Sequence, residues 1–279
     1  MKIHFQASQA PNAQKAFKKF VKIYGQTKSA AKAKVIVAIG GDGQALVSLQ
    51  DAIRFDVPMF GINYGKVGSL LNPRREKKDF KNLPERIKTA EEIELYPLRY
   101  KAKFIKGKKI KGFAINEVNV CNHDRSKSVY LNVDLEKKPY IEWLGGDGLI
   151  IASPAGSSAY NRAAGGKVLS LDDFAVAMTP NNASVKFSKT NFASDYFSTQ
   201  EDLCTRNKFA RTVFADSISV GVMRDPYHTG DLYVDDRRIG KDCRKVKISL
   251  DETPYRLLFD PGLIQEKVKR MQFSAPKVA

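Results

Sequence analysis

Residues 35–43 read Val-Ile-Val-Ala-Ile-Gly-Gly-Asp-Gly. Five consecutive apolar residues, 35–39, predict a strand buried on both faces. The run stops at Gly40 and Gly41, which permit positive φ and close approach of other backbone. Asp42 and Gly43 follow. From Gln44 to Ile53, Ala45, Leu46, Leu49 and Ile53 fall on one face of a helix. A strand, a glycine turn and a helix start aim backbone N–H groups at one point, where an anion can sit. A carboxylate beside that point suits a base or a metal ligand better than a phosphate binder. Glycines after a strand can also be a plain tight turn; a carboxylate set between glycines at this junction favours function.

Outward from this stretch, residues 2–6 predict a first strand. Pro11 opens a helix carrying Ala13, Ala16, Phe17, Phe20, Val21 and Tyr24 at helical spacing, with Gly25 as its C-cap. Downstream, residues 57–62 predict a strand that runs into a second glycine loop, Asn63-Tyr64-Gly65-Lys66-Val67-Gly68. Two such loops at the ends of neighbouring parallel strands meet at one sheet edge, where open α/β sheets bind ligands. A surface helix is expected over 76–90, around Leu83 and Ile87.

The pattern changes near Pro97. Strands are expected at 99–104, 114–120, 129–135, 140–144, 149–152, 174–178, 212–220, 232–234, 245–250 and 255–259, with turns at Gly107-Lys108 and Lys137-Lys138-Pro139. One helix is expected at 157–164, ended by Gly165-Gly166, and one at 263–273 that returns to the first domain. The expected fold is an α/β N-terminal domain, 1–96 completed by 260–279, and a β-rich, β-sandwich-like C-terminal domain, 97–259.

The totals set the class. The chain has 279 residues, 43% hydrophobic, enough for a real core. No apolar run reaches the length of a membrane span, and the first residues lack a signal-type apolar core. A soluble cytoplasmic protein is expected, with no membrane partner. The net charge of +17 permits a nucleic acid, an anionic surface or a phosphate-rich ligand. Its densest patch, residues 101–111 with six lysines, reads as a solvated hairpin tip. Cys121, Cys204 and Cys243 are far apart and odd in number, which argues against a disulfide framework or a zinc site. His4, His123 and His228 have no metal-ligand spacing.

Two further stretches carry chemistry. Gly146-Asp147-Gly148 leads through an apolar strand into Ser153-Pro154-Ala155-Gly156-Ser157-Ser158-Ala159-Tyr160. Small residues there let a planar ring lie against backbone, hydroxyls gather near a helix start, and Tyr160 can stack or hydrogen-bond. The other is Asn116-Glu117, a polar pair read inside the apolar strand 114–120. Burying it without partners costs about 1–3 kcal/mol per unsatisfied group, so it needs a local network or a ligand. An amide and a carboxylate suit ribose hydroxyls or a base edge.

In this order the three stretches resemble the GGDG, NE and DG…TPTGSTAY segments of the NAD kinase family, over about residues 35–166. The lipid kinases of the same superfamily share the first and are not expected to carry the last with this wording. The resemblance implies a kinase that phosphorylates the adenosine-ribose 2′-hydroxyl of NAD to give NADP. It implies Asp42 as general base, Gly40, Gly41 and Gly43 at the donor phosphates, and Asn116 and Glu117 on NAD. Asp147 would lie at the nicotinamide-ribose end, and Asp42, Gly43, Ala155, Ser158, Ala159 and Tyr160 would complete the NAD contacts. ATP, or polyphosphate, would be the donor, with Mg²⁺ or another divalent cation bridging its phosphates rather than ligated by the protein. A homodimer or homotetramer is implied, with NAD sites completed across subunits.

The chain departs from the family pattern at Gln44, often Thr, and at Gly65–Leu70, which lacks the usual Phe. It departs also at Lys167, usually Pro, and Asp236, where Gly is expected. The rival readings are a lipid kinase and a non-catalytic polyanion or nucleic-acid binder on a kinase-like fold. No paired stacking aromatics of an RNA-reading sheet are evident, and no nucleic-acid partner is expected.

Overall fold

The apolar run at 35–39 needs a partner on each edge, and the fold supplies both. The structure is a computed structural model that describes residues 1–75, 77–122, 124, 127–188, 207, 209–223 and 229–267. Its first elements are β1 (Ile3–Ala7), α1 (Pro11–Tyr24), β2 (Val35–Gly40), α2 (Asp42–Phe55), β3 (Met59–Asn63), α3 (Lys77–Lys88) and β4 (Glu91–Leu95). β2 pairs in parallel with β1 and with β3. The far end of the chain supplies another strand, β18 (Tyr255–Phe259), inserted between β3 and β4. This strand was read in the sequence as part of the β-rich domain; it completes the first sheet instead.

Alternation divides the residues of β2 between two faces. Val35, Val37 and Ile39 share a core with Phe5, with Ala13, Ala16 and Phe20 of α1, and with Leu83 and Ile87 of α3. Phe20 stacks on Phe5, ring centroids 5.5 Å apart. α2 packs on β2 and β3. Gly25 ends α1 at φ 75°, as expected of a C-cap glycine. The helix expected over 76–90 is shorter and is interrupted at Asn82 (φ −130°). Pro84, two residues on, lacks an N–H and crowds the preceding turn. β4, rich in glutamate, was not foreseen.

One buried charge network braces this unit. Arg86 Nε and NH2 donate to Asp260 at 2.8 and 2.6 Å, and NH1 donates to Asp79. Asn72 donates to the carbonyls of Gly61 and Leu258 and accepts from the Asp260 N–H at 2.7 Å. Burial alone would lower the Arg86 pKa; hydrogen bonding to Asp260 and the charges of both aspartates outweigh it and hold the value above normal.

Contacts divide the chain into two compact units: Met1–Leu95 with the described residues from Pro254 on, and Tyr96–Thr253. The second unit has two antiparallel sheets. One orders β12 (Ser184–Phe187), β9 (Lys138–Gly146), β8 (Val129–Leu135), β14 (Ile218–Val222), β17 (Cys243–Leu250), β5 (Leu98–Phe104) and β6 (Lys109–Ala114). The other orders β13 (Arg211–Val213), β11 (Val176–Asn181), β10 (Gly148–Ala152), β7 (Glu117–Cys121), β15 (Asp231–Val234) and β16 (Arg237–Gly240). Both face one core. Leu131, Val133, Val220 and Val246 come from the first sheet; Val118, Val120, Leu149, Ile151 and Leu232 come from the second. The α/β layer and the β-rich sandwich are therefore the fold read from the sequence.

Several local readings need correction. The strand expected at 114–120 is two strands in different sheets, with the chain crossing at Ile115-Asn116. The strand expected at 212–220 likewise divides into β13 and β14. The turn placed at 137–139 lies at Glu136-Lys137, both at positive φ (48° and 71°), with Lys138 and Pro139 already in β9. The helix expected at 157–164 is a 3₁₀ turn, Gly156–Ser158, and one short helix, α4 (Tyr160–Ala163). The lysines of residues 101–111 are exposed along β5, β6 and their connecting tip. The returning helix is described from 263 to 267 only. Cys204, His123 and His228 lie outside the described residues.

Candidate functional site

One group of candidate residues lies in the first unit, where β2 ends. Asp42 is already the first residue of α2, two positions earlier than expected, and Gly41 is its N-cap. The first amides of a helix have no intrahelical acceptor and gather partial positive charge. Gly40 is fixed by packing: a Cβ there would stand 2.6 Å from the Gln44 Cβ. Gly65, in the second glycine loop, is fixed by the first loop. A Cβ on Gly65 would stand 2.8 Å from the Gly41 Cα. The two loops do meet, as parallel pairing of β2 and β3 requires. A Cβ on Gly43 would meet nothing within 4 Å, so the space beside it is open.

The Asp42 carboxylate is held by the second loop. Oδ2 accepts the Gly68 N–H at 3.0 Å and Oδ1 accepts the Leu70 N–H at 3.1 Å. Gly68 is at φ +78°, and a Cβ there would clash with Asn63. Two peptide amides thus orient one carboxylate while each oxygen keeps a second lone pair for another proton.

A separate group of candidate residues lies in the second unit, on the face of β7 opposite its core. Ser153 locks the small-residue loop onto the crossover: its N–H donates to the Asn116 carbonyl at 2.8 Å and its hydroxyl to the Ile115 carbonyl at 2.6 Å. Gly156 lies so close that a Cβ would stand 2.1 Å from the Asn116 carbonyl oxygen. The two sequence stretches are therefore one piece of structure. Asn116 belongs to the crossover between β6 and β7, not to a strand interior.

Glu117 opens β7 with only 5% exposure, and its Oε2 has no partner among the described residues. Burial, then the nearby charges of Asp235 and Asp236, raise its pKa to about 8. At neutral pH it is mostly protonated, offering one O–H donor and acceptor capacity. Asp235 sits behind the crossover and accepts the N–H groups of Ile115, Asn116 and Glu117 at 3.3, 2.7 and 3.3 Å.

A cavity of about 630 Å³ opens beside these strands, lined by Asn119, Asp147, Tyr160, Asn182, Tyr233 and Asp235 among others. Asp147 accepts from Asn182 Nδ2 at 2.8 Å, and the Tyr160 hydroxyl accepts from Asn181 Nδ2 at 3.1 Å. Of the residues read from sequence, Asp147 and Tyr160 line this cavity. Ala155 is buried beneath the loop, while Ser158 and Ala159 sit on its turn without lining the cavity. Ser157 is structural, bridging the Pro154 carbonyl and the Leu169 N–H.

An NAD kinase of Zymomonas mobilis is 33% identical over 273 residues, covering 96% of this chain and 95% of its own length. The chain belongs to the NAD kinase family. An NAD kinase of Caulobacter vibrioides is 32% identical over 280 residues, covering 98% of this chain and 96% of the relative. The family model of the ATP-NAD kinase C-terminal domain matches residues 115–195. Two solved structures share the fold. One is an NAD kinase from Archaeoglobus fulgidus in complex with ATP, TM-score 0.70 at 18% identity, covering 96% of this chain and 99% of that one. The other is a yeast NADH kinase complexed with NADH, TM-score 0.76 at 14% identity, covering 100% and 89%.

Within this NAD kinase family member, sequence reasoning missed Asn119, Tyr233 and Asp235. Asn119 had a signal: it stands two residues after Glu117, on the same strand face, and its buried Oδ1 also has no partner among the described residues. Tyr233 and Asp235 fall in a stretch, 232–236, that resembles a family strand, but only pairing across more than 110 residues brings them beside β7. The departure at Asp236 is harmless to the backbone: Asp235, not Asp236, takes the positive φ of this hairpin (53°).

Proposed function

We propose that this chain transfers the γ-phosphoryl group of ATP to the 2′-hydroxyl of the adenosine ribose of NAD, giving NADP and ADP. The observation that carries this reading is the carboxylate of Asp42, oriented by two amides where two glycine loops meet at the ends of parallel strands. A ribose hydroxyl is a weak nucleophile. Asp42 takes its proton while the oxygen bonds to the γ-phosphorus. The bond from that phosphorus to the β,γ-bridging oxygen breaks, and ADP leaves with the electron pair. Gly40, Gly41 and Gly43 let the donor phosphates approach the backbone amides at the start of α2.

A divalent cation such as Mg²⁺ fits this residue set if it arrives on the donor phosphates. Among the described residues no three His, Cys, Asp or Glu side chains gather to hold a metal, and Mg²⁺ bound through phosphates and waters needs no such cage. The glycine-loop amides would hold those phosphates. When bound, the cation neutralises charge on the transferred group.

Asn116 and protonated Glu117 would hydrogen-bond the dinucleotide, satisfying the orphaned Glu117 oxygen. Asp147, Ala155, Ser158, Ala159 and Tyr160 would shape its pocket. A cytoplasmic homodimer or homotetramer completes the reading. No described helix is long and apolar enough to cross a membrane.

The test is purified protein with Mg-ATP and NAD, with NADP measured by an NADP-specific dehydrogenase. NADP should form, and Asp42→Asn should lower kcat by at least about 10²-fold, the scale of a lost general base. Polyphosphate in place of ATP distinguishes the donors. No NADP from either donor, or an unchanged rate in Asp42→Asn, overturns the proposal.

A further inference from the structure

Lys267 lies on the helical turn that follows β18, far from the glycine loops in sequence. Its ammonium donates to the carbonyls of Gly68 and Ser69 at 2.9 and 2.7 Å. Those carbonyls belong to the loop that holds Asp42. The Ser69 carbonyl and the Leu70 N–H are two ends of one peptide group. A peptide is planar and trans, so its C=O and N–H point in opposite directions. Lys267 grips the oxygen, and the N–H on the other side meets Asp42 Oδ1. Turning that peptide over would break both contacts at once.

The rest of the loop does not fix this peptide. Asn63 holds the Gly65 N–H and the Val67 carbonyl. The Asn72 N–H and carbonyl bond to the Gly61 carbonyl and the Asn63 N–H, pinning the loop's far end onto β3. Between these anchors, the Ser69 carbonyl takes its side-chain contact from Lys267 alone among the described residues. The Gly68 carbonyl is shared by Lys267 and the Leu71 N–H, the latter at 3.2 Å. Lys267 is itself well placed to hold one position. Its ammonium lies 5.4 Å from the Phe259 ring centroid, and its helical turn follows Asp260, which the Arg86 network buries.

We propose that Lys267 is a positioning residue for phosphoryl transfer: it sets the Ser69–Leu70 peptide so that the amides of Gly68 and Leu70 hold the Asp42 carboxylate in its working orientation. This rests on Asp42 being the base. A charged donor to a carbonyl makes a hydrogen bond stronger than a neutral one, and it polarises the peptide so that its N–H is a better donor to a carboxylate. The role demands a cation of this reach. Arginine retains it, and methionine, of similar length and apolar, does not.

The experiment compares Lys267→Met, Lys267→Arg and Asp42→Asn in the full chain, with kcat and KM for NAD and for ATP, and the unfolding midpoint of each. Misplacing a reacting group by about 1 Å costs on the order of 10²-fold in rate. Lys267→Met should therefore lose about 10- to 100-fold in kcat with either KM changed less than about threefold, and Lys267→Arg should recover most of that loss. An unchanged kcat in Lys267→Met overturns the proposal. So does a loss that appears equally in both KM values and in the unfolding midpoint, since that marks a brace for the fold. If Asp42→Asn loses activity and Lys267→Met does not, only the positioning role fails. If Asp42→Asn retains full activity, the general-base reading fails, and this proposal with it.

Discussion

Two acids of the first unit's core and Glu117 of the second are held in opposite ways. In the first, Arg86 compensates Asp79 and Asp260, and two peptide amides hold Asp42. In the second, Glu117 is buried beside Asp235 and Asp236 with one oxygen unpartnered among the described residues, and its pKa rises to about 8. Compensation by amides or a guanidinium fixes a carboxylate in one orientation. Lack of compensation keeps an acid protonated and short of hydrogen bonds, the condition of a group that a polar ligand can satisfy. On the proposed function, this contrast assigns reaction to Asp42 and binding to Glu117.

Arg86→Ala should break the contrast most severely. It leaves Asp79 and Asp260 buried, with Arg75 still 3.0 Å from Asp260. Loss of one partner of a buried pair costs about 3–5 kcal/mol; denaturant unfolding would measure it, and a loss below about 1 kcal/mol would show the network to be dispensable. Asp42→Asn comes next. Its expected 10²-fold loss of kcat corresponds to about 2.7 kcal/mol of barrier, and the unfolding midpoint should move little because the amide oxygen still accepts one N–H.

Glu117→Gln sharpens the other side. Its carboxyl titrates near 4.5 when unfolded and near 8 when folded. Between those values the folded state holds a proton that the unfolded state has lost, so the wild type loses stability as pH rises through this window. Glutamine cannot ionise and removes that slope. Melting from pH 5 to pH 9 should show the variant gaining about 4 kcal/mol relative to the wild type at the alkaline end. Parallel melting curves would mean that Glu117 ionises normally. The smallest effect belongs to Asp236→Gly. Added freedom in the unfolded chain should cost about 0.4–1 kcal/mol, while removal of one nearby charge should lower the pH at which Glu117 responds.

The parts legible in sequence were those in which chemistry and local backbone are one signal. Gly40-Gly41-Asp42-Gly43 announced a strand end, a helix start and a carboxylate together, and parallel pairing made the two glycine loops meet. The apolar alternation at 129–135 gave β8 directly. What stayed hidden was partnership over distance. Residues 114–120 and 212–220 read as single strands because a period of two says which face a residue takes, not which sheet it joins. The Glu136-Lys137 turn was misplaced because neither residue advertises positive φ. The roles of Asp235 and Lys267 gave no local sign, since each matters through a backbone group far away in the chain.

The strand inserted between β3 and β4 has a consequence for biosynthesis. Until residues 255–260 emerge from the ribosome, the first sheet lacks its fourth neighbour and Arg86 lacks Asp260. The nascent chain must carry that gap while the entire antiparallel sandwich is translated, so a unit begun before the sandwich is completed after it. Truncations that stop short of β18 should therefore leave the unit bearing Asp42 open-edged and prone to self-association, even where the sandwich has already closed.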